Sequence, residues 1–301
     1  MINGAVPLLT IFGIPKAFSG HTGVIQRNAI TSWTLLRPKP YIVLFGADSG
    51  TAELANELDI QHEPAVLRTK HGTPLVNDMF ERAERLTDTP ILCYVNADII
   101  LPRILVPVLE QVRRYKDAFL ISGERWDLDI TGSIDFSDPK WEANLVQDVL
   151  ERGRPLGKGG MDYFVYTRGL FGEMPPFAVG RTAWDNWLLY AALRKRVPLI
   201  DASQVVQAVH QNHDYSHAGG TEMAWKGPEA NLNLALAGSR IFNLEHATHV
   251  VRPDGIYRTL TLRNSPYRLW DYIYLSGRLS FLKPFLMGGK RLLDLIRGRQ
   301  C

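Results

Sequence analysis

Cysteine is scarce in this chain, with two residues among 301, Cys93 inside an apolar run and Cys301 at the last position. That excludes a disulfide framework and fits a reducing compartment. No stretch reaches the ~18 consecutive apolar residues that a membrane-spanning helix needs. The apolar start, Met1 to Phe12, has neither a basic flank nor a small-residue cleavage site, so no secretory leader is expected and the protein is expected to be cytoplasmic. Charge of one sign is also lacking: 34 Lys and Arg stand against 31 Asp and Glu, a net +3, too small to argue for nucleic acid as a partner. No internal repeat and no low-complexity stretch occurs. What remains, 46% hydrophobic and 22% charged, is the composition of a globular protein with a sizeable core.

The first third alternates short apolar runs with helical patterns. Val6–Phe12, Tyr41–Phe45 and Pro90–Val95 read as strands; 26–36, 51–58 and 75–86 read as helices. Continuous apolar strands separated by helices predict an α/β fold, a mostly parallel central sheet with helices on both faces. In such sheets ligands bind beyond the carboxyl ends of the strands. Further along, 105–115 and 184–194 read as helices, and 118–122, 161–166 and 205–209 as strands. Residues 124–160 mix charge, glycine and aromatics and read as a long loop holding one helix near 141–150. The organisation expected is a catalytic domain over 1–250 and a tail over 251–301.

Four places carry residues suited to chemistry. Asn96-Ala97-Asp98 closes a buried strand, and a carboxylate there suits Mg²⁺ or Mn²⁺ on a diphosphate; capping a helix that starts near Pro102 is the other reading of Asp98. Asp48 ends the preceding strand between Gly46 and Gly50, able to hold a base or ribose, or to start the helix at 51. Asp185 sits between Trp184 and Trp187 at a helix start. Burial against those rings raises a carboxyl towards general-base range, whereas an N-cap needs only the position. Finally, His210, His213 and His217 fall within eight residues after a strand, beside Gly219-Gly220. A zinc site is one reading of that cluster; a histidine completing the coordination of an Asp98 metal is the other.

The tail is different in kind. From Pro266 to Cys301 seven Lys or Arg stand against two Asp, interleaved with Trp270, Tyr272, Tyr274, Phe281 and Phe285. This is the composition of a basic amphipathic segment lying in a membrane interface, or of a helix packed on the domain with its basic side in water.

Taken in order, strand–Gly46-Ala47-Asp48, strand–Asn96-Ala97-Asp98, Lys158-Gly159-Gly160-Met161-Asp162-Tyr163, Gly180-Arg181-x-x-Trp184-Asp185-Asn186-Trp187 and His210-x-x-His213-Asp214-Tyr215 resemble a glycosyltransferase of the GT-A fold. The nearest resemblance is to family-2-like bacterial enzymes of surface polysaccharide synthesis. It implies a GT-A, Rossmann-like sheet over about residues 5–250. It implies that Asp98 is the last acid of an Asp-x-Asp motif binding Mn²⁺ or Mg²⁺ on the donor diphosphate. It also implies that Asp48 holds the nucleotide base, that one of His210, His213 and His217 completes the metal site, and that Asp185 deprotonates the acceptor. Asp162 and Arg181 would face the donor sugar or its phosphates. The chain departs from the pattern at Asn96, where the first acid of the motif is expected and a neutral ligand or ribose hydrogen-bond donor stands instead.

The function this implies is transfer of a sugar from a nucleotide-sugar donor to a hydroxyl of a glycan or lipid-linked glycan, with inversion. The loop 124–160, or the one around Gly219, would close over the donor, and the tail would touch the inner face of the membrane. Two rivals share the fold. A sugar nucleotidyltransferase needs a glycine-rich basic phosphate loop after the first strand, which Gly13-Ile14-Pro15-Lys16 matches poorly. A non-catalytic module would bind a nucleotide sugar or a partner without turning the donor over.

Overall fold

The computed structural model describes residues 7–213, 225–238 and 242–259. Each apolar run of the first third becomes a strand: β1 (Leu9–Gly13), β2 (Tyr41–Phe45) and β4 (Ile91–Val95), joined by the short polar edge strand β3 (Gln61–Glu63). Between them run α1 (Gly20–Thr34), α2 (Thr51–Glu57) and α3 (Val76–Leu86). After β4 come β5 (Ile99–Ile100), α4 (Leu105–Tyr115), β6 (Leu120–Ser122), β7 (Arg125–Leu128), α5 (Trp141–Arg152) and β8 (Arg154–Pro155). The remainder is β9 (Tyr163–Thr167), α6 (Trp184–Arg194), β10 (Leu199–Asp201), β11 (Ala208–Gln211), α7 (Pro228–Ala237), β12 (His249–Arg252) and β13 (Gly255–Arg258).

Nine strands form the central sheet in the order β13-β12-β10-β6-β9-β4-β1-β2-β3. Five of its neighbouring pairs are parallel; β9 runs antiparallel to both β4 and β6, and β13 antiparallel to β12. The expected α/β class with a mostly parallel sheet is what the structure has. Strand order reverses between β1 and β4, the place where a doubly wound sheet opens a ligand crevice. The central strands are buried on both faces, which is why they read as unbroken apolar runs. One face packs Ile11, Cys93 and Val95 under Ile30, Trp33, Leu54 and Leu109 from α1, α2 and α4. The other packs Phe12, Tyr94 and Phe164 under Phe80, Trp184 and Leu188 from α3 and α6.

A second sheet, β5-β11-β7-β8, lies beside the first and is backed by α5 through Trp141, Leu145 and Val149. It corrects the expectation of a loop over 124–160. Arg125 to Leu128 is a strand whose charged residues hide the alternation, and Arg154–Pro155 pairs with it. Residues 125–128 and 141–155 therefore belong to a packed layer, while 129–140 between them is irregular and mostly exposed. The strand expected at 205–209 begins three residues later, because Val205 and Val206 donate their amides to the Ala202 carbonyl in a turn. Helix α1 starts at Gly20, six residues before the expected position, its first turn hidden by two glycines and polar residues. The hairpin β12–β13 carries the central sheet to Arg258, so residues 251–252 and 255–258 lie in the sheet. The tail from 260 onward, His217 and the Gly219 segment lie outside the described residues. Among the described residues no helix is long and apolar enough to cross a membrane.

At the sheet's switch point β1 and β4 approach closely. A Cβ at Gly13 would meet the Val95 carbonyl oxygen at 2.5 Å and the Trp33 ring at 3.4 Å, whereas one at Gly132 meets nothing within 4 Å. Gly13→Ala is expected to lower stability by about 1–3 kcal/mol, the cost of overpacking against backbone that cannot yield. Gly132→Ala should stay within about 0.5 kcal/mol of wild type. Urea unfolding of the two variants side by side measures the difference.

Candidate active site

Past the end of β4 the chain turns sharply: the Asn96 amide donates to the Asp162 carbonyl at 3.0 Å, and the Ile99 amide to the Asn96 carbonyl at 3.1 Å. The turn sets Asp98 immediately before β5, at the margin of the second sheet. There β11 lies between β5 and β7, with His210 opposite Ile99 on one side and opposite Asp127 on the other. Three neighbouring strands thus set Asp98, His210 and Asp127 in a row. His213 follows two residues after β11 ends.

The distances make this a cluster. His213 Nε2 lies 2.9 Å and His210 Nε2 3.8 Å from Asp98 Oδ2. One donor atom from each of Asp98, His210 and His213 falls within 4.8 Å of the others. Burial alone would raise the Asp98 carboxyl; the His213 hydrogen bond and the charges of His210 and Lys16 outweigh it and hold the group well below the usual carboxylate range. Its second oxygen, Oδ1, is buried with no hydrogen-bond partner. A buried, ionised and half-satisfied carboxylate beside two imidazoles is a set of donors that fits a divalent cation. Mixed imidazole and carboxylate donors suit Mn²⁺ better than Mg²⁺, which prefers oxygen throughout. Asp98 does not cap α4, whose N-cap is Ile104.

A second group adjoins the first. Asn96 Nδ2 donates to Asp162 Oδ1 at 2.6 Å, while the Tyr94 hydroxyl donates to Asn96 Oδ1 at 3.1 Å. Arg125 spans the two groups, Nη1 to Asp162 Oδ2 at 2.5 Å and Nε to Asp127 Oδ1 at 2.9 Å. Arg125 and Asp127 went unnoticed in the sequence; the signal was the spacing Arg-x-Asp, which puts both on one face of a strand.

Asp185 reaches the same place from α6. Trp184 packs edge-on against Tyr94, ring centres 5.0 Å apart, and against Phe164 at 5.7 Å. This fixes the first turn of the helix on the sheet. The residue before it, Ala183, holds φ at 81°, a left-handed conformation that L-residues other than glycine, asparagine and aspartate rarely adopt. Asp185 Oδ1 is buried without a partner. Burial, helped by the Asp162 charge and opposed by the amides of Asn186 and of Asp185 itself, pushes the carboxyl up to about 6. Burial and then the charges of Asp162, Asp98 and Asp185 keep the Tyr94 phenol protonated.

Not every expected residue joins them. Asp48 lies three residues beyond β2 with an exposed side chain, 3.9 Å from Arg68, and does not cap α2: its carbonyl, not its carboxylate, accepts from Thr51. Arg181 is turned to Glu229, Nη2 to Oε2 at 3.0 Å, and Glu229 also accepts from Thr69 and Thr73. That ion pair ties the segment before α6 to α7.

No protein-family model and no curated protein sequence matches the chain. Solved structures similar to it include glucosyl-3-phosphoglycerate synthase from Mycobacterium tuberculosis in complex with Mg²⁺ and UDP, at 13% identity and a TM-score of 0.46, covering 78% of this chain and 79% of that one. The same synthase with Mn²⁺, UDP and phosphoglyceric acid aligns at a TM-score of 0.47 and 13% identity, over 78% of both chains. A mannosyltransferase from Pyrobaculum calidifontis in complex with GDP-Man and Mn²⁺ aligns at 15% identity and a TM-score of 0.43, over 72% of this chain and 60% of that one.

Proposed function

We propose that the protein is a metal-dependent glycosyltransferase of the GT-A type, moving a sugar from a nucleotide-sugar donor to a hydroxyl of a glycan or lipid-linked glycan with inversion. One observation carries this reading: the Asp98–His210–His213 cluster lies at the switch point of a mostly parallel sheet, beside a buried carboxyl raised to about 6. A binding module has no need of that carboxyl. The resemblance of the ordered motifs supports the same conclusion.

When bound, Mn²⁺ or Mg²⁺ supplies positive charge to the leaving diphosphate. Asp98, with His210 and His213, would hold it. Asp48 beyond the end of β2 would receive the nucleotide base, and Asn96 and Asp162 would hydrogen-bond the ribose and donor sugar. Asp185 takes the proton from the acceptor hydroxyl as that oxygen bonds to the anomeric carbon and the anomeric bond to phosphate breaks. A carboxylate with a pKa near 6 is ionised at neutral pH and still basic enough for the task. The basic segment Pro266–Cys301 fits peripheral contact with the inner face of a membrane, where a lipid-linked acceptor resides.

Mn²⁺ is expected to raise the melting temperature, since a ligand at 100 times its dissociation constant adds about 2.7 kcal/mol, and Asp98→Asn should abolish the shift. A nucleotide-sugar donor should raise it further only with Mn²⁺ present; an identical donor response without metal would contradict the metal's place in the site. For Asp185 the sign is fixed by the raised pKa. Turnover should climb through about pH 6 as the carboxyl ionises, and Asp185→Asn should keep donor binding while losing most of its turnover. Because the native state binds this proton more tightly than the unfolded chain does, Asp185 removes stability as pH rises from about 4 to 6. Asp185→Asn should therefore stabilise the protein at pH 7 by about 1–3 kcal/mol in urea unfolding.

A further inference from the structure

The row Asp98–His210–Asp127 has a carboxylate on each side of one imidazole. His210 Nδ1 lies 2.9 Å from Asp127 Oδ1, and its Nε2 faces Asp98 Oδ2 at 3.8 Å, a gap wider than a hydrogen bond. The same Asp127 oxygen accepts from Arg125 Nε at 2.9 Å, and Arg125 Nη1 is anchored on Asp162. Asp127 is thus held from behind by a guanidinium and presents one fixed acceptor to the ring. The placement comes from backbone register, because Asp127 and His210 are direct partners across the parallel β7–β11 pair. Arg125, Asp127 and His210 side chains are largely enclosed, at 13%, 22% and 8% exposure, so water competes weakly for these bonds.

We propose that Asp127 is the positioning residue for His210: by accepting the Nδ1 proton it fixes the tautomer and turns the bare Nε2 towards the cation. A neutral imidazole can offer only the nitrogen that carries no proton, so the group that takes the other nitrogen's proton decides which one ligates. Arg125 serves the same end by keeping Asp127 ionised and aimed. It also joins this row to Asp162, so that the cation cluster and the Asn96–Asp162 pair are held as one unit. The effect of Asp127 is on ligand geometry. The inference rests on the metal site proposed above and adds to it a residue outside the ligand set.

The test uses the full chain and Mn²⁺ alone, with free Mn²⁺ followed by its electron paramagnetic resonance signal. His210→Ala should weaken Mn²⁺ binding; if it does not, His210 is no ligand and the site reading fails there. Given that loss, Asp127→Ala is expected to weaken binding 10- to 100-fold, the usual effect of removing such a partner. Asp127→Asn, which keeps an acceptor oxygen, should recover part of it. Unchanged affinity in Asp127→Ala beside a weakened His210→Ala overturns the positioning role and leaves the metal site standing. Should both Asp127 variants fail to fold, the wild-type protein answers by itself. Nitrogen-15 spectra of the metal-free chain, taken where the ring is neutral, should show the His210 proton on Nδ1, and a proton on Nε2 would refute the proposal.

Discussion

Like-charge repulsion is the constraint around which the rest of this molecule is arranged. Asp98, Asp127, Asp162 and Asp185 converge at one edge of the sheet, and two unit charges 4 Å apart cost roughly 4 kcal/mol at the effective dielectric of a protein surface. The structure treats these carboxylates unequally. Asp98 has two imidazoles and the nearby Lys16 charge. Asp127 and Asp162 share the Arg125 guanidinium. The Asp185 carboxyl is pushed up, by burial first and with help from the Asp162 charge. A set of acids that all ionised alike would make a strong cation trap with no base. The unequal treatment holds the Asp98 carboxyl down and raises Asp185 to about 6, the separation of carboxyls by environment that acid–base sites depend on.

Holding that arrangement costs order elsewhere, and the fold supplies it from two directions. The rings of Phe12, Phe80, Tyr94, Tyr166 and Phe171 interlock beneath the site, and Trp184 closes the cluster from above. Their packing lets Ala183 stay in a strained conformation, because releasing φ would pull the indole off Tyr94. Behind the same segment, Asn233 accepts from the Ala178 amide and donates to the Ala178 and Thr182 carbonyls, and Arg181 grips Glu229. The acid is held in place by apolar packing on one side and a polar lattice on the other.

Much of this was legible in the sequence, for a physical reason. Strands buried on both faces must be apolar throughout, so β1, β2 and β4 were visible, and 105–115 and 184–194 matched α4 and α6 at both ends. Asp98 and the histidines stood out because polar residues immediately after such strands are rarely needed for packing. What stayed hidden was the second sheet. Strand β7 is short and turns Arg125 and Asp127 towards the site, so function overwrote the hydrophobic alternation that marks a strand. Strands β5 and β11 of that sheet are drawn from positions far apart in the chain, and register across such distances leaves no local trace. The partner of Arg181 was equally hidden: Glu229 lies on an element nearly 50 residues away.

Asn96 brings these strands together. The ordered motifs lead one to expect an acid there, and the surroundings explain why an amide serves. Its Nδ2 donates to Asp162 Oδ1 at 2.6 Å and its Oδ1 accepts from Tyr94 at 3.1 Å, so both ends of the side chain are engaged. An aspartate at 96 would replace that donor with an acceptor and set two carboxylates at hydrogen-bond distance, beside Asp98 and Asp185. Arg125 is already shared between Asp162 and Asp127. The amide keeps the turn after β4 tied to β9 without adding charge. Asn96 Nδ2 thus holds the Asp162 carboxylate from the turn after β4.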